Sequence, residues 1–369
     1  MHTKKVDKFF LTITLLLILI GFFLFVSASL GLLARDNGAS FEGVFVNQIF
    51  MGLFLGLTAM TIMSQVHYKN LRKYSFYFFI LGCLLAVLVF VPGIGFGHNG
   101  ARRWIDLRFT TFQPSEFLKL GFVLYFAAWL SAMKDKVSTF KYGTLPFLVL
   151  LGIPAVLILL QPDTGTFGVI AAAGFGMFLV SGGRISHIVF MGVLGVLLFV
   201  GLVYSKPYLQ ERLLTFVDPG RDPNGAGYQL NQSLIAIGSG QVFGRGFGQS
   251  IQKFNFLPEP TNDSIFAVAS EEFGFLGSSF LVLCFLFFAT RGLHIATRAP
   301  DQFSYLVVVG IILLIITQSF INIASMVGFF PLTGVPLLFV SHGGTALLFA
   351  LAEVGMILNI SRWQKTKTP

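Results

Sequence analysis

Charge is what this chain has least of. Asp, Glu, Lys and Arg make up only 11% of its 369 residues, against about 25% in a soluble domain. That is too little to cover a water-facing surface, so a soluble globular enzyme and a disordered chain are both excluded. Cysteine is nearly absent. Cys83 and Cys284 are the two, and both lie inside apolar runs. They build no disulfide framework and no metal-ligand spacing, which removes the secreted disulfide scaffolds. Also missing are coiled-coil heptads, low-complexity tracts and any repeat of about 20–50 residues.

What the chain does have is apolar length. Hydrophobic residues make up 55%, and 44 are Phe, a composition suited to lipid-facing helices. Apolar stretches cover residues 9–31, 44–65, 74–92, 115–132, 144–160, 166–181, 186–204, 264–290, 304–327 and 336–360. Each approaches the roughly 20 residues that a membrane helix needs. Backbone in lipid must satisfy its own hydrogen bonds, so these runs are read as helices. The alternating segments of a β-barrel are not seen. The expectation is an all-α membrane protein, a polytopic bundle of about ten transmembrane helices forming one domain over residues 1–369. A long extracytoplasmic loop, residues 205–263, joins spans seven and eight. Loops of that length in compact proteins are usually functional.

Lys4, Lys5 and Lys8 precede the first run. That run is longer than the h-region of about 7–15 residues in a signal peptide, so it reads as an uncleaved span. Most Lys and Arg residues fall on one side if both termini are cytoplasmic, as the positive-inside rule asks. The net charge of +9 is accounted for in this way, with no nucleic-acid partner. Arg102, Arg103 and Arg108 break the pattern, because they fall in an outer loop. An anionic lipid headgroup or a pyrophosphate is a reason for such an exception.

Ionisable residues inside or beside spans are the chemical signal. Glu116 and Lys119 share one face of the fourth span at i,i+3. They form either a structural ion pair or part of a polar cavity wall. Asp163 follows Pro162 at a helix break, either as a cap or as a cavity residue. Asp263 stands where the long loop enters the eighth span. It reads as an N-cap or as a general base, since a carboxylate screened from water has a raised pKa. Glu271 and Glu272 lie roughly 12–13 Å further along that helix, too deep to share a hydroxyl with Asp263, which favours structural pairing or cavity polarity. His342 and Glu353 are weaker candidates. The glycines around Gly238-Ser239-Gly240 and Gly244–Gly248 lack the Gly-Lys-Ser/Thr of a P-loop and read as turns.

Six ordered motifs add a resemblance. They are Asn99 to Ile105, Gln113-Pro114-Ser115-Glu116-Phe117-Leu118-Lys119, Gln161-Pro162-Asp163-Thr164-Gly165-Thr166, Gly227 to Ser233, Leu257 to Gly277, and Gly334-Val335-Pro336 through Ser341-His342-Gly343-Gly344. Together they resemble the FtsW/RodA/SpoVE, or SEDS, family of bacterial peptidoglycan glycosyltransferases across nearly the whole chain.

The resemblance implies a polymerase of lipid II at the outer face of the cytoplasmic membrane. It would lengthen an undecaprenyl-linked nascent glycan by β-1,4 linkages. The position matching the family's essential aspartate is Asp263, read as the base for the acceptor 4-hydroxyl. Arg102, Arg103, Arg245 and Lys253 are then candidates for the pyrophosphate. The expected partners are a class B penicillin-binding protein, a transpeptidase, and divisome membrane proteins. No cofactor and no metal site is evident. A divalent cation is compatible with the scattered carboxylates Asp218, Asp222, Glu259 and Asp263. Gln249 to Phe254 and the Pro-Glu-Pro before Asp263 look like the division branch, with an elongation polymerase as the alternative. A lipid II flippase and a non-catalytic scaffold are the competing classes. The chain departs from the family pattern in three places. Thr261-Asn262 replaces His-Thr, Asn255 replaces Glu, and His342 replaces the Tyr of Ser-Tyr-Gly-Gly.

Overall fold

A computed structural model describes residues 5–34, 41–98, 101–107, 110–220, 222, 225 and 227–364. Helices dominate. In chain order they are α1 (Lys8–Leu30), α2 (Phe41–Asn47), α3 (Leu55–Gln65), α4 (Tyr68–Leu88), α5 (Pro114–Ala132), α6 (Leu145–Leu159) and α7 (Thr164–Val180). Then follow α8 (Ile185–Ser205), α9 (Pro207–Val217), α10 (Tyr228–Ser239), α11 (Ile265–Thr297), α12 (Gln302–Met326) and α13 (Gly344–Ser361). A π-helical stretch, Gln48–Phe54, joins α2 to α3 in one span. Among the described residues, nine helices are long and apolar enough to cross a membrane. The sixth expected span, 166–181, is the shorter helix α7 of 17 residues. It reaches only about 25 Å, starting at the Asp163 cap.

The bundle is built around α12, whose neighbours include α5, α7 and α11, while α13 packs on α3 and α4 on α5. Helix α8 stands apart and buries only Met191. The helix ends are chemically marked. Asp7 caps α1 through Phe10 N and pairs with Arg291 at 2.7 Å. Asp301 and Ser304 form a capping box on α12.

Four features depart from the sequence expectation. First, the chain between α4 and α5 folds as an antiparallel sheet of β1 (Gly95–His98), β2 (Ala101–Asp106) and β3 (Thr111–Phe112). Second, the stretch read as one long loop contains α9 and α10.

Third, α11 is broken. Gly274 takes φ 64 and ψ −163, a region open essentially to glycine alone. The chain after α10 threads this break and caps both sides. Arg245 N and Gly246 N donate to Glu271 O and Glu272 O, while Phe275 N and Leu276 N donate to Gln241 O and Val242 O. Helix ends left inside a protein need such partners.

Fourth, the last span becomes helical only at Gly344, not at residue 336. Residues 336–343 are irregular, although Leu337, Val340 and Ser341 are buried. Non-helical backbone survives at such depth when protein surrounds it and supplies its hydrogen bonds. Gln48 and Gln318 do so here at Ser341 O and Pro336 O, and Asn322 holds Val335 O just before them.

Candidate active site

Asp263 lies one residue before Ser264, the N-cap of α11. Its Oδ1 is shielded from solvent and, among the described residues, has no hydrogen-bond partner. Burial is the main reason its carboxyl is pushed up to about 7; Glu259 adds to the shift, and Arg103 and Arg212 oppose it. A carboxylate in that range is suited to accept a proton near neutrality. It opens on a cavity of about 400 Å³ whose lining includes Arg103, Trp104, Arg212, Glu259 and His342. Burial pushes the His342 imidazole down to about 4, and the ring stacks on Phe25 at 5.9 Å.

Arg103 projects from β2 toward the break between α6 and α7. It donates to Gln161 O at 3.2 Å and also to Pro162 O. Its guanidinium is 3.9 Å from Asp163. Asp163 caps α7 through Thr166 N at 3.2 Å and Thr166 Oγ1 at 2.9 Å. Asp163 is thus a helix cap that also contacts Arg103; it lines none of the three cavities itself. Arg212 comes from α9, donates to Thr333 O at 3.3 Å and lies over the Tyr208 ring.

The two arginines stand at a junction. Both line a second cavity of about 400 Å³ that includes Tyr208, Glu211 and Gln229. Arg212 also lines an apolar groove of about 390 Å³ between α6, α7, α8 and α12. A cation on the wall of an apolar groove, with a second cation in the adjoining polar cavity, suits an amphiphile with an anionic head.

The family profile described as a cell cycle protein, FtsW/RodA/SpoVE, matches residues 7–366. Stage V sporulation protein E of Bacillus subtilis is 41% identical over 99% of this chain and 100% of its own length. A probable peptidoglycan glycosyltransferase FtsW of Geobacter sulfurreducens is 34% identical over 98% of this chain and 97% of its own length.

The chain belongs to the FtsW/RodA/SpoVE family.

A solved chain from a peptidoglycan synthase complex that coordinates polymerization and crosslinking shares 26% identity and superposes with a TM-score of 0.79, covering 98% of this chain and 99% of that one. The rod-shape-determining protein RodA of Thermus thermophilus has the same fold, at 23% identity and a TM-score of 0.69 over 98% of both chains.

Within this family fold the expected site residues separate. Asp263, Arg103 and Asp163 converge. Arg102 does not: neighbouring strand residues face opposite sides, so it is exposed and lines neither polar cavity. Arg108 lies outside the described residues.

Lys253 leaves the substrate-binding set, because it is fully buried. Its ammonium is held by Glu272 at 2.8 Å, Gly248 O at 2.8 Å and Ser27 Oγ at 3.0 Å. Arg245 is tied to Glu271 at 3.3 Å, away from both polar cavities. Glu271 also accepts from Ser250 Oγ and from the amides of Ile251 and Gln252. Glu271 and Glu272 thus anchor the 245–253 segment, as structural pairing predicts.

Glu116 and Lys119 pair at 2.8 Å, and Lys119 also donates to Gln318 at 2.6 Å. No cluster of three or more His, Cys, Asp or Glu disposed to hold a metal occurs among the described residues. The residue missed from sequence is Arg212. A helical pattern around it, Leu209, Leu213 and Phe216, was the available signal.

Proposed function

We propose that this protein polymerises lipid II into β-1,4 glycan strands, with Asp263 as the general base. The observation that carries the reading is the junction itself. A half-buried carboxylate with one shielded oxygen faces a polar cavity; Arg103 and Arg212 line that cavity, and Arg212 also lines an apolar groove. The groove suits a polyprenyl chain, and the arginines suit its pyrophosphate. Asp263 takes the proton from the acceptor 4-hydroxyl. The freed oxygen attacks the anomeric carbon of the donor. The bond from that carbon to the phosphate oxygen breaks, and the pyrophosphate leaves with the electron pair, stabilised by the guanidinium groups.

In this reading both termini are cytoplasmic and the Asp263 end of the bundle faces outward, where the lipid-linked substrate waits. A class B penicillin-binding protein is the partner that crosslinks the product, a view supported by the related peptidoglycan synthase complex. Wall synthesis at a division septum is the process favoured by the FtsW relatives. The higher identity to the stage V sporulation protein favours a second reading, in which the same chemistry serves spore formation.

The test is polymerisation of lipid II by the purified protein with its cognate transpeptidase. Wild type is expected to give glycan ladders, and Asp263→Ala, folded, to give none. Equal ladders would reduce Asp263 to a helix-end residue. Absence of product from wild type would favour transport of lipid II or a scaffold role.

A further inference from the structure

The Asp263 carboxylate is held by little of its own, since among the described residues its Oδ1 has no hydrogen-bond partner. What is held is the backbone beneath it. Three successive carbonyls each accept a hydrogen bond from a different donor. Thr261 O accepts from His342 N at 2.7 Å. Asn262 O accepts from Ser341 Oγ at 2.6 Å. Asp263 O accepts from Asn322 Nδ2 at 2.8 Å.

The donors are themselves shared. The Asn322 amide also reaches Val335 O at 2.9 Å, and Ser341 Oγ accepts from Leu337 N at 2.9 Å. Two side chains therefore join the segment that carries the base to the irregular stretch before α13. One helical turn from Asn322, Gln318 Nε2 donates to Pro336 O at 3.2 Å while its Oε1 accepts from Lys119. The orientation of the Asn322 amide follows from its neighbours: two carbonyl oxygens require the NH₂ end. Its Oδ1 is shielded and, among the described residues, without a partner.

The upstream chain shows why anchoring matters. Asn255 and Glu259 take φ of 67 and 46, values that side-chain-bearing residues seldom adopt. A strained approach does not by itself hold Asp263 in place.

We infer that Asn322 and Ser341 are positioning residues, which set the Asp263 carboxylate against the acceptor hydroxyl by fixing the backbone at residues 262 and 263. The inference rests on Asp263 being the base. With both bonds in place, rotation about the backbone dihedrals that aim the side chain is blocked. Misplacement of a reacting group by about 1 Å costs on the order of 100-fold in rate.

The experiment is steady-state polymerisation of lipid II by the full chain with its transpeptidase, across pH. The variants are Asn322→Leu, Ser341→Ala and Ser341→Thr, with Asp263→Ala alongside. Asn322→Leu and Ser341→Ala are expected to lower kcat by about 10- to 100-fold while KM changes by less than about 3-fold. Ser341→Thr keeps the hydroxyl and is expected to recover most of the rate. The acid limb of kcat should move to lower pH in the two crippled variants, because a loosened carboxylate gains water. Ser341→Ala removes a single oxygen and carries the test alone if Asn322→Leu does not fold.

Unchanged kcat in the folded variants would overturn the inference. So would a loss that Ser341→Thr does not repair and that leaves the acid limb in place, since that marks packing alone. If Asp263→Ala polymerises at the wild-type rate, the base assignment itself has failed and the inference falls with it.

Discussion

Lys253 and Glu272 form an ion pair at 2.8 Å with neither side chain exposed to solvent. The pair joins the segment after α10 to α11, and Ser27 brings α1 into the same cluster. A buried charge left without its partner destabilises by about 3–5 kcal/mol, whereas replacing both partners costs far less. Lys253→Met and Glu272→Gln are each expected to lower the thermal midpoint in detergent, and the double variant to regain most of the loss. A Lys253→Met protein with unchanged stability and impaired polymerisation would return this lysine to the substrate site.

The break in α11 makes a backbone prediction. A Cβ at Gly274 would stand 2.4 Å from Gly244 N and 2.6 Å from Val242 O, and φ there is 64. None of these atoms is the flexible end of a side chain. Gly274→Ala is expected to cost about 3 kcal/mol or more. Ala tolerated at this position without loss of thermal stability would mean that the two half-helices do not meet through this turn.

The arginines give a contrast within one residue type. Arg103 and Arg212 line both polar cavities, while Arg245 is paired with Glu271 and lines neither. Loss of one donor to a developing oxyanion costs about 10²–10³ in kcat. Arg103→Ala and Arg212→Ala should fall in that range. Arg245→Ala should stay near wild type, because Glu271 keeps Ser250 and two backbone amides. Lipid II polymerisation rates decide it: equal losses in all three would mean that the charge acts at long range rather than at the cavity.

Local pattern accounts for what was legible beforehand. Apolar run length located the spans, and the i,i+3 spacing of Glu116 and Lys119 placed both on one helix face. Asp263 was visible as the acidic residue at the start of a span. The rest depended on contacts distant in sequence. Lys253 in a polar stretch reads as solvated, and only Ser27 and Glu272 show that it is buried. Residues 336–343 are as apolar as a helix, so composition cannot reveal that other elements supply their hydrogen bonds. The sheet around Arg103 is built from Gly-rich turns and short strands, whose pairing no hydrophobic period announces.

The final prediction concerns pH. The charged groups facing Asp263 come from several elements: Glu259 from its own segment, Asp163 at the start of α7, Arg103 from β2 and Arg212 from α9. Burial wins among these influences and pushes the carboxyl up to about 7, well above the usual carboxylate range. A base works only when deprotonated, so kcat should rise about tenfold per pH unit and level off above pH 7. Stability runs the other way. Between about pH 4 and pH 7 the folded state keeps a proton that the unfolded chain has released, so this group's contribution is full below pH 4 and is lost as pH rises through 7. Asp263→Asn removes the buried charge. It should be inactive, yet melt at a higher temperature than wild type at about pH 8 and at nearly the same temperature at about pH 4. Thermal midpoints at the two pH values, measured beside the pH–rate profile, test both halves. An acid limb near pH 4 with no gain from Asn would show a solvated carboxylate, one that needs no burial to explain it.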